Sequence, residues 1–196
     1  MGILRYAAKS CHPLAAGLQA AILSSILMAS AMADSSNRPQ KETELKALIL
    51  FQIPMLVTWD IKIARRAKEF RFCILQDPHL AAILAKQVAG ERHQGRRMTV
   101  SLYEELTLDK ECRIFYVAHD SAFFENDVDR VSALFDQMND QGTLIVGSAA
   151  DLLEKGGHIN LQTYRNRIRL SVNRAATKNR HFKMSLRLER IGALRN

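Results

Sequence analysis

The sequence predicts an α/β fold: a single layered domain, a mixed β-sheet flanked by helices, preceded by a signal peptide. Three observations lead there. Short runs of bulky apolar residues alternate with amphipathic stretches of helical period along most of the chain. The last two strand-like runs are joined by a tight turn at Arg165-Asn166, so they pair antiparallel and make the sheet mixed. An uncharged apolar run opens the chain in the manner of a secretory leader. The length of 196 residues suits one domain plus an extension. With 47% hydrophobic and 24% charged residues, bulk disorder and collagen-like repetition are excluded.

The N-terminal 33 residues follow the plan of a signal peptide. Arg5 and Lys9 supply positive charge, no charge occurs from Leu14 to Met32, and Ala31 and Ala33 place small residues before Asp34. Cleavage after Ala33 fits best and cleavage after Ala31 is the near alternative. An uncleaved anchor helix competes, but Gln19, Ser24 and Ser25 interrupt the apolar run. Cys11 would leave with the peptide, and no stable membrane insertion is expected after cleavage. Cys73 and Cys112 would then lie in an oxidising compartment. An even pair there suggests one disulfide, with two separate buried thiols as the other reading. Closing a loop of this length stabilises by roughly 4 kcal/mol.

Residues 34–43 are polar and aperiodic and read as a disordered leader. From residue 44 to 58, Leu45, Leu48, Ile49, Met55 and Leu56 form one helical stripe, which Pro54 should kink or break. Residues 69–75 read as a strand. Asp77-Pro78 opens a helix through Leu80, Ile83, Leu84 and Val88 that stops at Gly90. Residues 91–97 form a charged loop and 98–103 a second strand. The run at 112–118, CRIFYVA, is the strongest strand and is expected at the centre of the sheet. Val128, Val131, Leu134, Phe135 and Met138 mark a further helix, residues 143–146 a short buried strand, and 149–154 a brief helical segment ended by Gly156-Gly157. In the final hairpin Ile168, Leu170 and Val172 point inward and Arg167, Arg169 and Ser171 outward. Met184, Leu188, Ile191 and Leu194 suggest a C-terminal helix.

Catalytic motifs are missing from the sequence. It contains neither a G-x-S-x-G elbow nor a G-x-x-x-x-G-K-[ST] loop, and its histidines show no i, i+3 or i, i+4 pairing that would suggest a metal site. No cofactor is implied. His119, Asp120 and Ser121 follow the central strand, where α/β sheets bind ligands, and form a candidate ligand site. Residues 165–196 carry a net charge of +9, against −3 for residues 34–164. Outside the cytoplasm nucleic acid is not the expected partner, and no aromatic platform interleaves the arginines. An acidic protein surface or anionic lipid headgroups suit the compartment better, with a merely solvated face as the plain alternative.

Several segments together carry a resemblance: Thr58-Trp59-Asp60, Phe70-Arg71-Phe72-Cys73, Glu111-Cys112-Arg113-Ile114-Phe115, Leu144-Ile145-Val146, Gly156-Gly157-His158-Ile159-Asn160-Leu161, Ile168-Arg169-Leu170-Ser171-Val172-Asn173, and residues 184–193. In order and spacing they resemble the YfiR family of small periplasmic proteins, over residues 44–194. Asp60 departs from the pattern where Pro is usual, and Leu170 where Phe is common. The resemblance implies a periplasmic, non-catalytic repressor. It would bind the periplasmic sensor region of a membrane-anchored diguanylate cyclase and lower cyclic di-GMP, and loss of repression would promote biofilm. It also implies that Cys73 and Cys112 form a redox-sensitive disulfide supporting the fold. Arg165 in the turn and the outward Arg167 and Arg169 are the candidate partner-binding residues, and a homodimer is the other association considered. The competing function is a periplasmic small-molecule-binding sensory module, with its pocket near His119–Ser121.

Overall fold

The computed structural model describes residues 38–118, 128–165, 167–175 and 181–192. The signal peptide at 1–33 and the candidate ligand residues His119, Asp120 and Ser121 lie outside the described residues.

Helix α1 (Arg38–Gln52) begins inside the polar segment read as a leader, so residues 38–43 are helical. It buries Ala47 and Leu50, with Ile49 and Phe51 partly covered. The expected stripe needs correction. Leu45 and Leu48 are 42% and 47% exposed, and Met55 is 62% exposed. Pro54 lacks the N–H that would continue the helix, and the chain tightens into a 3₁₀ turn at Ile53–Leu56. Met55 and Leu56 therefore leave the helical period on which the stripe was drawn. The chain then extends into strand β1 (Val57–Trp59), which pairs antiparallel with β9 (Phe182–Met184) as a separate two-stranded sheet. Met184 is thus a strand residue, because pairing with Val57 overrides the helical spacing seen in the sequence. The C-terminal helix, α5 (Leu186–Gly192), starts after Ser185, whose hydroxyl accepts a bond from the Leu188 N–H.

Helix α2 (Ile61–Arg66) is capped by Asp60, and helix α3 (Pro78–Val88) by Asp77, with Pro78 in its first turn as expected. Seven strands form the main sheet in the order β3-β4-β2-β5-β6-β7-β8. They are β2 (Phe70–Leu75), β3 (Arg92–His93), β4 (Arg96–Tyr103), β5 (Cys112–Val117), β6 (Leu144–Gly147), β7 (Ile159–Tyr164) and β8 (Arg167–Val172). The β4-β2-β5-β6-β7 pairs are parallel, and the two outer pairs are antiparallel. The charged stretch read as a loop is therefore a hairpin: Gln94 and Gly95 take φ of 50° and 79°, as a type I′ turn requires. Residues 150–156 form successive turns rather than a helix.

Alternation along the strands sorts side chains into two cores, one on each face. Phe72, Ile74, Ile114, Tyr116, Val146 and Leu161 pack with α1, α3, β9 and α5. Cys73, Leu75, Phe115, Val117 and Ile145 pack with Val131, Phe135 and Met138 of α4 (Val128–Asp140). Helices on both faces of five parallel strands in the relative order second-first-third-fourth-fifth make this a doubly wound sheet. Its strand order reverses between β2 and β5, and the ends of these strands are where Asp77 and Ala118 emerge.

Candidate functional site

Cys73 of β2 and Cys112, the first residue of β5, form a disulfide with Cα atoms 5.8 Å apart. Adjacent strands bring them together, and both are buried. Asp109 lies within 4.8 Å of the two sulfurs, but the sulfurs are bonded to each other and offer no thiolate to a metal. Around the bridge, Arg71 reaches Glu111 at 2.8 Å, Asp109 at 3.5 Å and Glu69 at 3.6 Å. The Tyr103 hydroxyl donates to Asp109. Burial alone would raise the Asp109 pKa. The Tyr103 hydroxyl, the Glu111 N–H and Arg71 outweigh it and hold the carboxyl below its usual range. Burial and the Asp109 carboxylate push Tyr103 up to about 12. This cluster clamps the start of β5 to β2.

His158 is fully buried at the start of β7. Its Nδ1 accepts the Ile145 N–H at 3.0 Å, so Nε2 carries the proton and faces the Asn139 Oδ1 at 3.1 Å. Burial lowers its pKa to about 4. It is a neutral structural imidazole tying α4, β6 and β7 together. Trp59 does similar work elsewhere. Its indole N–H donates to the Gly142 carbonyl at 2.9 Å, and its ring meets Phe70 edge-on at 5.3 Å between centroids.

The carboxyl edge of the sheet opens into a cavity of about 490 Å³. Among the described residues its charged groups are Glu42 and Lys46 of α1 and Arg169 of β8; Ser148, just after β6, and Gln162, Thr163 and Tyr164 of β7 supply neutral polar groups. Ser148 meets the buried Tyr116 hydroxyl at 3.1 Å. Burial and the nearby Asp77 and Glu42 carboxylates raise the Tyr116 pKa, against the Ser148 bond, so the phenol stays protonated. Lys46 pairs with Glu42 at 2.6 Å. Sequence reasoning missed most of these residues. The rule that α/β sheets bind ligands at strand carboxyl ends points to Ser148 and Tyr164, but nothing in the sequence joins them to α1.

Arg165, Arg167 and Arg169 sit together on the β7–β8 hairpin. Arg165 is at its tip with φ of 48°, and Arg167 and Arg169 are exposed. Arg169 lies over the Tyr164 ring at 4.1 Å and Arg165 at 5.2 Å. Ile168, Leu170 and Val172 pack against the core as expected. Among the described residues β8 has a paired strand on one side only.

The model of the YfiR/HmsC-like family matches residues 43–192. The chain belongs to the YfiR/HmsC-like family. Among curated proteins none matches it. YfiR/HmsC-like proteins are regulatory rather than catalytic and in general periplasmic. The match runs from within α1 through α5, so it takes in the disulfide, the arginine hairpin and the described cavity lining except Glu42. No helix among the described residues is long and apolar enough to cross a membrane.

Proposed function

We propose that this protein is a non-catalytic periplasmic repressor that binds the periplasmic sensor region of a membrane-anchored diguanylate cyclase and so lowers cyclic di-GMP. Membership of the YfiR/HmsC-like family carries the reading. The β7–β8 hairpin adds a docking surface with stated chemistry. Among the described residues β8 is a terminal strand that carries the exposed Arg167 and Arg169, which suits an extended or helical acidic segment. Regulation needs only that the repressor prefer one state of the sensor region. A shift of that region from 1:99 to 99:1 takes about 5.5 kcal/mol of differential binding, within the reach of an ordinary interface.

Deleting the gene should raise cellular cyclic di-GMP, and supplying the mature domain to the periplasm should restore the original level. Unchanged cyclic di-GMP in the deletion strain, with the cognate cyclase confirmed present, overturns the proposal.

A further inference from the structure

We propose that the cavity at the carboxyl edge binds a small hydroxylated monocarboxylate, of which a sugar acid is the simplest kind. Its volume of about 490 Å³ falls in the range of small-molecule sites. Its place beyond the ends of β6 and β7 is where parallel sheets take ligands. Among the described residues three charged groups line it. Of these, Lys46 and Glu42 pair at 2.6 Å, so among the described lining residues Arg169 is the charge outside that pair. Among the described residues no carboxylate lies within ion-pair distance of Arg169. A single anionic group therefore balances these described residues.

The geometry of Arg169 selects the anion. Its guanidinium rests on the Tyr164 ring, 4.1 Å from the centroid. A guanidinium stacked in this way keeps its edge available as a planar fork, which matches a carboxylate bidentately. The rest of the described lining is hydroxyl and amide: Ser148, Thr163, Tyr164 and Gln162. These groups donate to and accept from a polyol body, and they offer an aromatic or aliphatic one little to bury against. Arg169 also stands on the hairpin face assigned above to the partner. Ligand and partner would then compete for one guanidinium, and each would weaken the other by the same factor. That coupling rests on the repressor reading; the binding itself does not.

The test is calorimetric titration of the purified protein with D-glucuronate, with D-glucose and inorganic phosphate in parallel. The expected result is saturable one-to-one binding of glucuronate, with a Kd of about 1 mM or tighter. Glucose should give no saturable heat, and phosphate should bind at least about tenfold more weakly. Arg169→Gln, at an exposed position, should weaken glucuronate binding about tenfold or more while the fold by circular dichroism is unchanged. Glu42→Gln removes the opposing charge and should tighten binding. Absence of saturable binding by glucuronate, galacturonate and lactate overturns the assignment. So do equal affinity for glucose, tighter binding of phosphate, or an Arg169→Gln protein that binds as well as the parent. Binding is read without any partner, so its failure leaves the cyclase proposal standing, and unchanged cyclic di-GMP in the deletion strain leaves the cavity assignment standing.

Discussion

Asp60 stands where the family pattern usually has Pro, and its backbone shows what the substitution adds. Its φ of −54° would accept Pro. Yet its N–H donates to the His181 carbonyl at 2.7 Å, and its carboxylate accepts from the Lys62 N–H at 2.8 Å. Asp60→Ala should cost about 1 kcal/mol through the lost cap. Asp60→Pro loses the backbone bond as well and should cost about 2 kcal/mol. Urea unfolding of the two variants gives the ranking, and a Pro variant as stable as the parent would show that the bond to His181 contributes nothing. His158 makes a pH-dependent contribution. Its folded pKa of about 4 lies below the ordinary 6.5, so the folded state holds the imidazole neutral while the unfolded chain takes up a proton. Stability due to this residue is complete above pH 6.5 and is lost as pH falls toward 4, by about 3 kcal/mol. The difference in unfolding free energy between the parent and His158→Gln, measured from pH 7 to pH 4, should shrink by that amount; a constant difference would refute it. The sequence marked His158 as one of several scattered histidines and as part of the Gly156–Leu161 segment, and neither reading gives its burial. Its burial depends on Asn139 and Phe182, both distant along the chain.

Strands and helices were legible where they were long or strongly patterned. The CRIFYV run lies inside the sheet between β2 and β6, and the Asp77-Pro78 helix start and the β7–β8 turn fall where the residues put them. β1 and β9, three residues each, are too short for any period to show and exist through pairing with each other. The buried face of α1 was misread because Ala47, a small residue, lies on it while Leu45 and Leu48 do not. The connection from β4 to β5 carries no helix. Leu106 and Leu108 pack on the core there instead, and the disulfide anchors its end at Cys112. Replacing both Cys73 and Cys112 by Ala should therefore lower the unfolding free energy by roughly 4 kcal/mol, read from denaturant midpoints with and without reductant. Denatured, unreduced protein should show neither residue labelled by a thiol reagent; labelling of both would refute the bridge.

Across the molecule, two apolar cores on opposite faces of one sheet follow from simple alternation, so the α/β class could be read from the chain. The strand order could not, since it depends on which runs meet in space. The same holds for the cavity, whose walls come from α1, β7 and β8. The arginine hairpin offers a test of the whole molecule at work. Arg167→Glu with Arg169→Glu should weaken repression of the cyclase while shifting stability by no more than about 0.5 kcal/mol, since both side chains are exposed. Full repression by a stably folded double variant would place the docking surface elsewhere. The sheet also ends in two unlike edges. β3 closes one with two residues, and among the described residues β8 has no further strand along its six residues at the other. An unpaired edge of that length invites a second copy to add its own β8. An antiparallel meeting centred on the arginines would set cation against cation across the seam, and like charges placed opposite each other destabilise such a pair. The arginines thus disfavour edge-to-edge pairing of two copies, and the same charge would favour the acidic segment of the proposed partner.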